Sequence, residues 1–181
     1  MTNNLRRVCV KLFAAEPEGA RDEILVPVFH ELIRERKLDM VFIDVADYTH
    51  VPESPGVMLV THDASFSLDR ADGRLGLLAQ RRRPVEANAI DAIAGTWRDA
   101  LRVVAHLESD SRLKGRLVFN RTNVRFEAND RLRAPNTAET FLALEPLVRA
   151  ATESVYPNRS VTISRVAADP RDRLALEVKI L

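Results

Sequence analysis

The sequence is short of the residues on which several common kinds of site and segment depend. A single cysteine, Cys9, excludes an internal disulfide framework and a metal site built from several cysteines. The six glycines form neither G-x-G-x-x-G nor G-x-x-x-x-G-K-[ST], so the two common phosphate-binding loops are absent. No apolar run approaches the roughly 20 residues that a membrane-spanning helix needs.

Charge and aromatic content argue against nucleic acid as a partner. Lys and Arg total 27 against 26 Asp and Glu, so the formal net charge is +1. Such a balance gives no overall field that attracts a polyanion or an anionic membrane. Aromatic residues make up 6% of the chain, and none adjoins the arginine run at 81–83. We therefore predict neither a nucleic-acid nor a membrane partner.

The length and composition fit one globular domain. The chain has 181 residues, of which 46% are hydrophobic and 29% charged. We predict a single domain over 1–181, with the polar stretch 109–116 as the one place for a subdivision. The first ten residues lack the apolar core of a secretory signal, so we expect a cytoplasmic protein.

Hydrophobic periodicity predicts the order β-α-β-β-β-α-β-β-α-β-β. The predicted strands cover 7–14, 40–45, 57–69, 74–83, 116–120, 123–128, 160–167 and 173–180, and the predicted helices cover 22–37, 86–108 and 136–155. Hairpins outnumber crossovers, which favours an α+β fold with a mainly antiparallel sheet and about three helices on one face. The other face is expected to be partly exposed or covered by a second subunit.

Three residues of reactive or aromatic type are expected to serve structure alone. Cys9 lies within a predicted strand and fits a small buried hydrophobe. Trp97 falls on the apolar stripe of helix 86–108 and is predicted to anchor the core. His106 falls off that stripe and is expected to be exposed.

The predicted hairpin at 72–73 sets the register of the two strands beside it. Asp-Gly is a strong two-residue turn signal, and it pairs residues whose numbers sum to 145. His62 then faces Arg83, and Ala64 faces Arg81. The even positions of 57–69 are otherwise apolar apart from His62, so we expect this histidine on the buried face.

Two interpretations of this hairpin stay open. In one, His62 is a satisfied core histidine and Arg82 pairs across the strands with Asp63. In the other, His62, Arg81 and Arg83 form the mouth of a pocket that binds a carboxylate or phosphate.

Further histidine and carboxylate residues precede this hairpin. Asp44, Asp47 and His50 lie within twenty residues of His62, in numbers that suit a transition metal. If the strands are antiparallel, however, roughly 17–20 Å separates His62 from Asp47. We therefore predict no metal site, and we keep five candidate ligand-binding residues: Asp47, His50, His62, Arg81 and Arg83.

Several segments together resemble an uncharacterised bacterial family of similar length. These segments are PVFH at 27–30, IDVADY at 43–48, PGVML at 55–59, GLL at 76–78, NDRL at 129–132 and APN at 134–136. The resemblance spans nearly the whole chain. It implies a bacterial protein and carries no activity, cofactor or site residue.

Three functional hypotheses follow. The leading one is a cytoplasmic homodimeric domain that binds a small molecule or anion, with a small anionic ligand as its expected partner. The second is an acid–base or metal-assisted enzyme that uses His50 or His62 with Asp44 or Asp47. The third is a structural or partner-binding homodimeric subunit. The sequence assigns no cofactor and leaves open whether the protein is an enzyme.

Overall fold

The computed structural model describes residue 5 and residues 7–16, 22–52, 54–84, 88–167 and 169–181. Within them, eight strands and three helices follow one another along the chain. The strands are β1 (Val8–Glu16), β2 (Phe42–Asp47), β3 (Val57–Thr61), β4 (Ala64–Asp69), β5 (Gly76–Arg81), β6 (Val118–Ala128), β7 (Val161–Arg165) and β8 (Ala175–Ile180). The helices are α1 (Asp22–Arg34), α2 (Ala89–Ser109) and α3 (Ala138–Val155).

The strands form one sheet in the order β2-β3-β4-β5-β1-β6-β8-β7. Every pairing in it is antiparallel. The predicted α+β fold with a mainly antiparallel sheet is therefore confirmed. None of the described helices is both long enough and apolar enough to cross a bilayer.

One face of the sheet is apolar from edge to edge. Residues that pair directly share a face, and one such row crosses seven strands. It consists of Val45, Leu59, Phe66, Ala79, Val10, Phe126 and Leu176. Buried side chains of all three helices join these residues in a single core. Trp97 is fully buried in this core, as its helical spacing predicts.

The second face is polar and charged. A row of directly paired residues on it consists of Met58, Ser67, Leu78, Lys11, Arg125 and Glu177. The centre of this face is nevertheless buried within a single chain, since Cys9 is fully buried and Lys11 is only 1% exposed.

Three element boundaries differ from the prediction. The stretch 57–69 is two strands, because Thr61 Oγ1 both donates to the carbonyl of Ala64 and accepts from its N–H, which closes a turn at 62–63. The stretch 118–128 is one strand instead of two, with irregular pairing to β1 near residues 12–16. Helix α3 begins at Ala138 instead of 136, and it is capped by Thr137, whose side chain accepts from the N–H of Thr140.

Candidate functional site: a cleft at the ends of two helices

The β4–β5 hairpin has the predicted register, with Ala64 opposite Arg81. His62 is nevertheless not on the buried face of a strand. It lies in the turn between β3 and β4, and its side chain is 52% exposed. The prediction of its placement is wrong because the alternation of apolar residues does not continue through the turn.

The arginine run begins with Arg81, the last residue of β5, and continues beyond the strand. The backbone N–H of Arg82 donates to the carbonyl of Asp63, so the two residues lie opposite each other. The guanidinium of Arg82, however, donates to the carbonyl of Thr61 at 2.7 Å. The side chain of Asp63 instead lies 3.3 Å from His62 Nδ1 and 4.0 Å from Arg83 Nη1. These groups are all well exposed, and Asp63 stands between the side chains of His62 and Arg83.

The other two candidates, Asp47 and His50, lie at the opposite end of β3 from His62. Asp47 pairs with Val57, whereas the N–H of His62 donates to the carbonyl of Val41. Asp47 accepts hydrogen bonds from the N–H and hydroxyl of Thr49, which hold its pKa below the usual range. Within the described part of the chain, no group of three or more His, Cys, Asp or Glu residues is arranged to hold a metal ion.

Reactive side chains gather instead where α1 and α2 end. There a cavity of about 540 Å³, which we call the helix-end cleft, lies between the last turns of these helices. It is lined by Glu31, Lys37, His106, Ser109, Asp110, Ser111 and Arg112.

Glu31 links the two sides of the helix-end cleft. One of its oxygens accepts from Lys37 Nζ at 2.9 Å, and the other accepts from Arg112 Nη2 at 2.8 Å. Both hydrogen bonds hold the pKa of Glu31 below its usual range. Lys37 is brought there by Arg36, whose φ of 48° turns the chain after the helix back toward α1. A carboxylate on α1 thus anchors both cations.

Arg112 is fixed a second time by Asp110, the residue that ends α2. Its Nε and Nη2 atoms donate to the two oxygens of Asp110 at 2.8 and 2.6 Å. This two-point geometry gives Arg112 a defined orientation. It also lowers the pKa of Asp110 to about 2. The Asp110 side chain is only 5% exposed, so the pair forms a rigid wall of the cleft.

His106 lies one turn before the end of α2 and is half-buried, whereas its spacing predicts exposure. Burial, reinforced by the nearby positive charge of Lys37, lowers the pKa of its ring, so the neutral imidazole is favoured at neutral pH. Its Nε2 atom is buried and has no hydrogen-bond partner among the described residues. His106 therefore adds an unengaged polar group beside the two anchored cations.

Some N–H donors of this cluster are not used by its described hydrogen bonds. The hydrogen bonds described for Arg112 use its backbone N–H, Nε and Nη2 atoms, and Lys37 contacts two carboxylates. Guanidinium carries five N–H groups and ammonium three. Each side-chain oxygen of Glu31 and Asp110 already accepts at least one hydrogen bond. The cleft is thus better supplied with donors than with open acceptors.

A second charged cluster lies on the polar face of the sheet, around Phe13. The guanidinium carbon of Arg74 lies 3.5 Å from the centre of the Phe13 ring. Lys11 bonds to Asp69 and Asp72, and Arg125 bonds to Asp72 and Glu177. These charges satisfy one another, which is typical of a stabilising network.

Comparison with known proteins found no matching family model, no matching curated protein and no matching solved structure. The resemblance to a bacterial family therefore stays a prediction, and the functional argument depends on the site itself.

Proposed function

We propose that the protein binds a small anionic molecule, a carboxylate or a phosphate, in the helix-end cleft. The observation that carries this proposal is that Glu31 anchors both Lys37 and Arg112 beside one cavity. Cations held in advance lose little conformational entropy when a ligand arrives. The proposed function is still the anion binding predicted from the sequence. The proposed site is the helix-end cleft and not the hairpin next to His62.

The donors that remain on Arg112 and Lys37, with the hydroxyl of Ser111, define what the ligand must offer. Oxygen atoms that carry negative charge accept such donors most strongly. The acidic neighbours limit the attraction, because Glu31, Glu35 and Asp110 all pair with the two cations. We therefore expect a singly or doubly charged small anion and millimolar to micromolar affinity, not a polyanion.

We propose that the helix-end cleft binds its ligand without catalysing a reaction. The Nε2 atom of His106 has no hydrogen-bond partner among the described residues, so the structure does not supply this imidazole with a carboxylate at that nitrogen. Of the pairs expected from the sequence, His62 lies at the opposite end of β3 from Asp47. His50 does lie near Asp47, whose pKa is lowered by the hydrogen bonds from Thr49 and by the charge of His50, but neither residue lines the helix-end cleft.

Isothermal titration calorimetry with inorganic phosphate, acetate and succinate tests the proposal. We expect at least one of them to bind, and Arg112→Gln and Lys37→Gln each to weaken it by about tenfold, since a hydrogen bond to a charged group contributes about 1.5–3 kcal/mol. Lys114→Gln, on the same turn but outside the cleft, is the matched control. A wild-type protein that binds none of the three with a Kd below about 10 mM would refute the proposal.

We also propose that two copies associate through the β2 edge of the sheet. On this edge Val41 and Ile43 are 68% and 57% exposed, and Tyr48 and Val51 in the following loop are exposed as well. Exposed apolar side chains in such a group favour a protein contact. The opposite edge, β7, presents Thr162 and Ser164 to solvent instead.

At this edge, contact between the side chains of two copies is favoured over a sheet that continues from one copy into the other. A register shift interrupts β2 between Phe42 and Asp44, and the Asp44 carboxylate accepts from the N–H of Val45 at 2.8 Å. Both features hinder backbone pairing with another strand.

Light scattering tests the dimer. The wild-type protein should be a dimer, and the double variant Val41→Lys, Ile43→Lys should be a monomer. A wild-type monomer at about 100 µM would contradict this proposal, since many stable dimers have lower Kd values. A cytoplasmic location stays a prediction.

A further inference from the structure

A second cavity, of about 310 Å³, lies where the β2–β3 loop meets the start of α1 and the end of β4. We call it the loop pocket. It is lined by Asp22, Thr49, Val51, Pro52, Ser54, Pro55, Gly56, Leu68 and Arg70. Its size is at the lower end of the range for small-molecule sites, and its walls combine apolar side chains with polar and charged groups.

The carboxylate of Asp22 is the unusual group in the loop pocket. Its Oδ1 atom is closed to solvent and accepts no hydrogen bond from the described residues. Arg70 Nη1 lies 3.5 Å away, close enough for an ion pair but long for an N–H···O hydrogen bond. A buried acceptor left without a donor is costly. A ligand that supplies a donor here would therefore gain binding free energy.

Gly56 allows the loop to approach this carboxylate. Its φ of 67° lies in the left-handed region, and a Cβ at this position would stand 3.2 Å from Asp22 Oδ2. The loop is also braced from within, because Ser54 Oγ donates to the carbonyl of Tyr48 at 2.6 Å. That hydroxyl is therefore engaged, and the charged groups in the described lining are Asp22 and Arg70, of which Arg70 also has a further partner.

We propose that the loop pocket binds a small zwitterion, of the α-amino acid class, separately from the anion proposed for the helix-end cleft. Its ammonium would donate to Asp22, and its carboxylate would accept from Arg70. A simple cation would meet the positive charge of Arg70, and a simple anion would meet Asp22. Only a ligand that carries both charges complements the pair.

The apolar walls define the rest of the ligand. Val51, Pro52, Pro55 and Leu68 suit a small aliphatic side chain and not a charged one. Because Asp22 Oδ1 is closed to solvent, the ligand reaches it only when the Arg70 side chain, which is half-exposed, shifts outward.

Calorimetric titration with L-valine tests this proposal against two analogues. Isobutylamine lacks the carboxylate of valine, and 3-methylbutanoate lacks its ammonium. We expect valine to bind at least about tenfold more tightly than either analogue, because each analogue forgoes one charge-assisted contact. Equal binding of valine and one analogue, or no binding of valine with a Kd below about 10 mM, would overturn it.

Substitutions locate the site. Asp22→Asn and Arg70→Gln should each weaken valine binding by about tenfold or more, whereas the exposed controls Asp39→Asn and Arg116→Gln should not. If Asp22→Asn does not fold, Arg70→Gln, which changes a half-exposed side chain, still decides the question. Lys37→Gln, which alters the helix-end cleft, should leave valine binding unchanged. Loss of valine binding in that variant would contradict a separate site.

Discussion

Lys11 and Asp69 form an ion pair on the polar face of the sheet, with 2.6 Å between Nζ and Oδ2, although Lys11 is almost wholly shielded from solvent. Asp72 accepts a second hydrogen bond from the same ammonium at 2.9 Å. A lysine in the middle of β1 is thus neutralised by the end of β4, which lies beyond β5 in the sheet, and by the turn that follows β4. This contact ties the β4–β5 hairpin to β1.

Replacing this lysine should destabilise the fold. Lys11→Met keeps most of the side-chain volume but leaves Asp69 without this cation and Asp72 with Arg125 alone, and we expect a loss of about 3 kcal/mol in the free energy of unfolding. Urea denaturation of wild type and variant measures it, with Lys114→Met at an exposed position as the control. A loss below about 0.5 kcal/mol would show that the pair contributes nothing to stability.

The thiol of Cys9 should be inert in the folded protein. Burial, with Glu127 nearby, raises its pKa to about 12, so almost no reactive thiolate exists at pH 8. We expect no reaction with Ellman's reagent under native conditions and one equivalent after unfolding in guanidinium. Rapid stoichiometric reaction of the native protein would contradict the buried placement of Cys9.

Most of the fold could be predicted from the pattern of apolar residues, since that pattern sets which face of each element is buried. The register of the β4–β5 hairpin also followed from Asp72 and Gly73, both of which have positive φ. The turn at His62 and Asp63 could not be foreseen by alternation alone. The turn depends on a hydrogen bond from the Thr61 side chain to the backbone of Ala64. Polar side chains that bond to nearby backbone groups favour turns, and this signal is separate from the alternation of apolar residues.

Asp110 should make stability depend on pH at the acid end. Its pKa is lowered to about 2 by hydrogen bonds from Arg112, against about 3.9 in an unfolded chain. The folded state therefore gains stability above the unfolded value and loses it as the pH falls toward 2. Asp110→Asn should be clearly less stable than wild type at pH 7, and the gap should narrow at pH 2.5.

Urea denaturation at both pH values measures this gap. Asp39→Asn, at an exposed position with no resolved role in an ion pair, serves as the control and should show little difference at either pH. A gap for Asp110→Asn that stays constant between pH 7 and pH 2.5 would show that the ion pair with Arg112 is not its source.

His106 should titrate below the usual range for histidine. Burial and the charge of Lys37 lower its pKa, so the ring stays neutral down to a pH below about 6.5. As the pH falls through that range the unfolded chain takes up this proton first, and stability should decrease. NMR titration of the ring protons reads the pKa directly. A His106 pKa at or above the ordinary value of histidine would contradict the described surroundings.

The helix-end cleft could not be predicted from sequence because its residues are far apart in the chain. Glu31 and Arg112 are 81 positions apart and meet only when the chain folds. The polar stretch 109–116 contains several residues of the cleft, but its composition resembles that of a linker. Leu113 within it is buried in the core, whereas a linker has no need of a buried side chain.

The most direct test of the central claim is an NMR titration of the wild-type protein with inorganic phosphate and succinate, following backbone amides and histidine ring protons. The account predicts saturable shifts at the amides of Ser111 and Arg112 and at the ring of His106, with His62 unchanged. No shifts at these positions, or saturable shifts confined to His62 and residues 81–83, would contradict it.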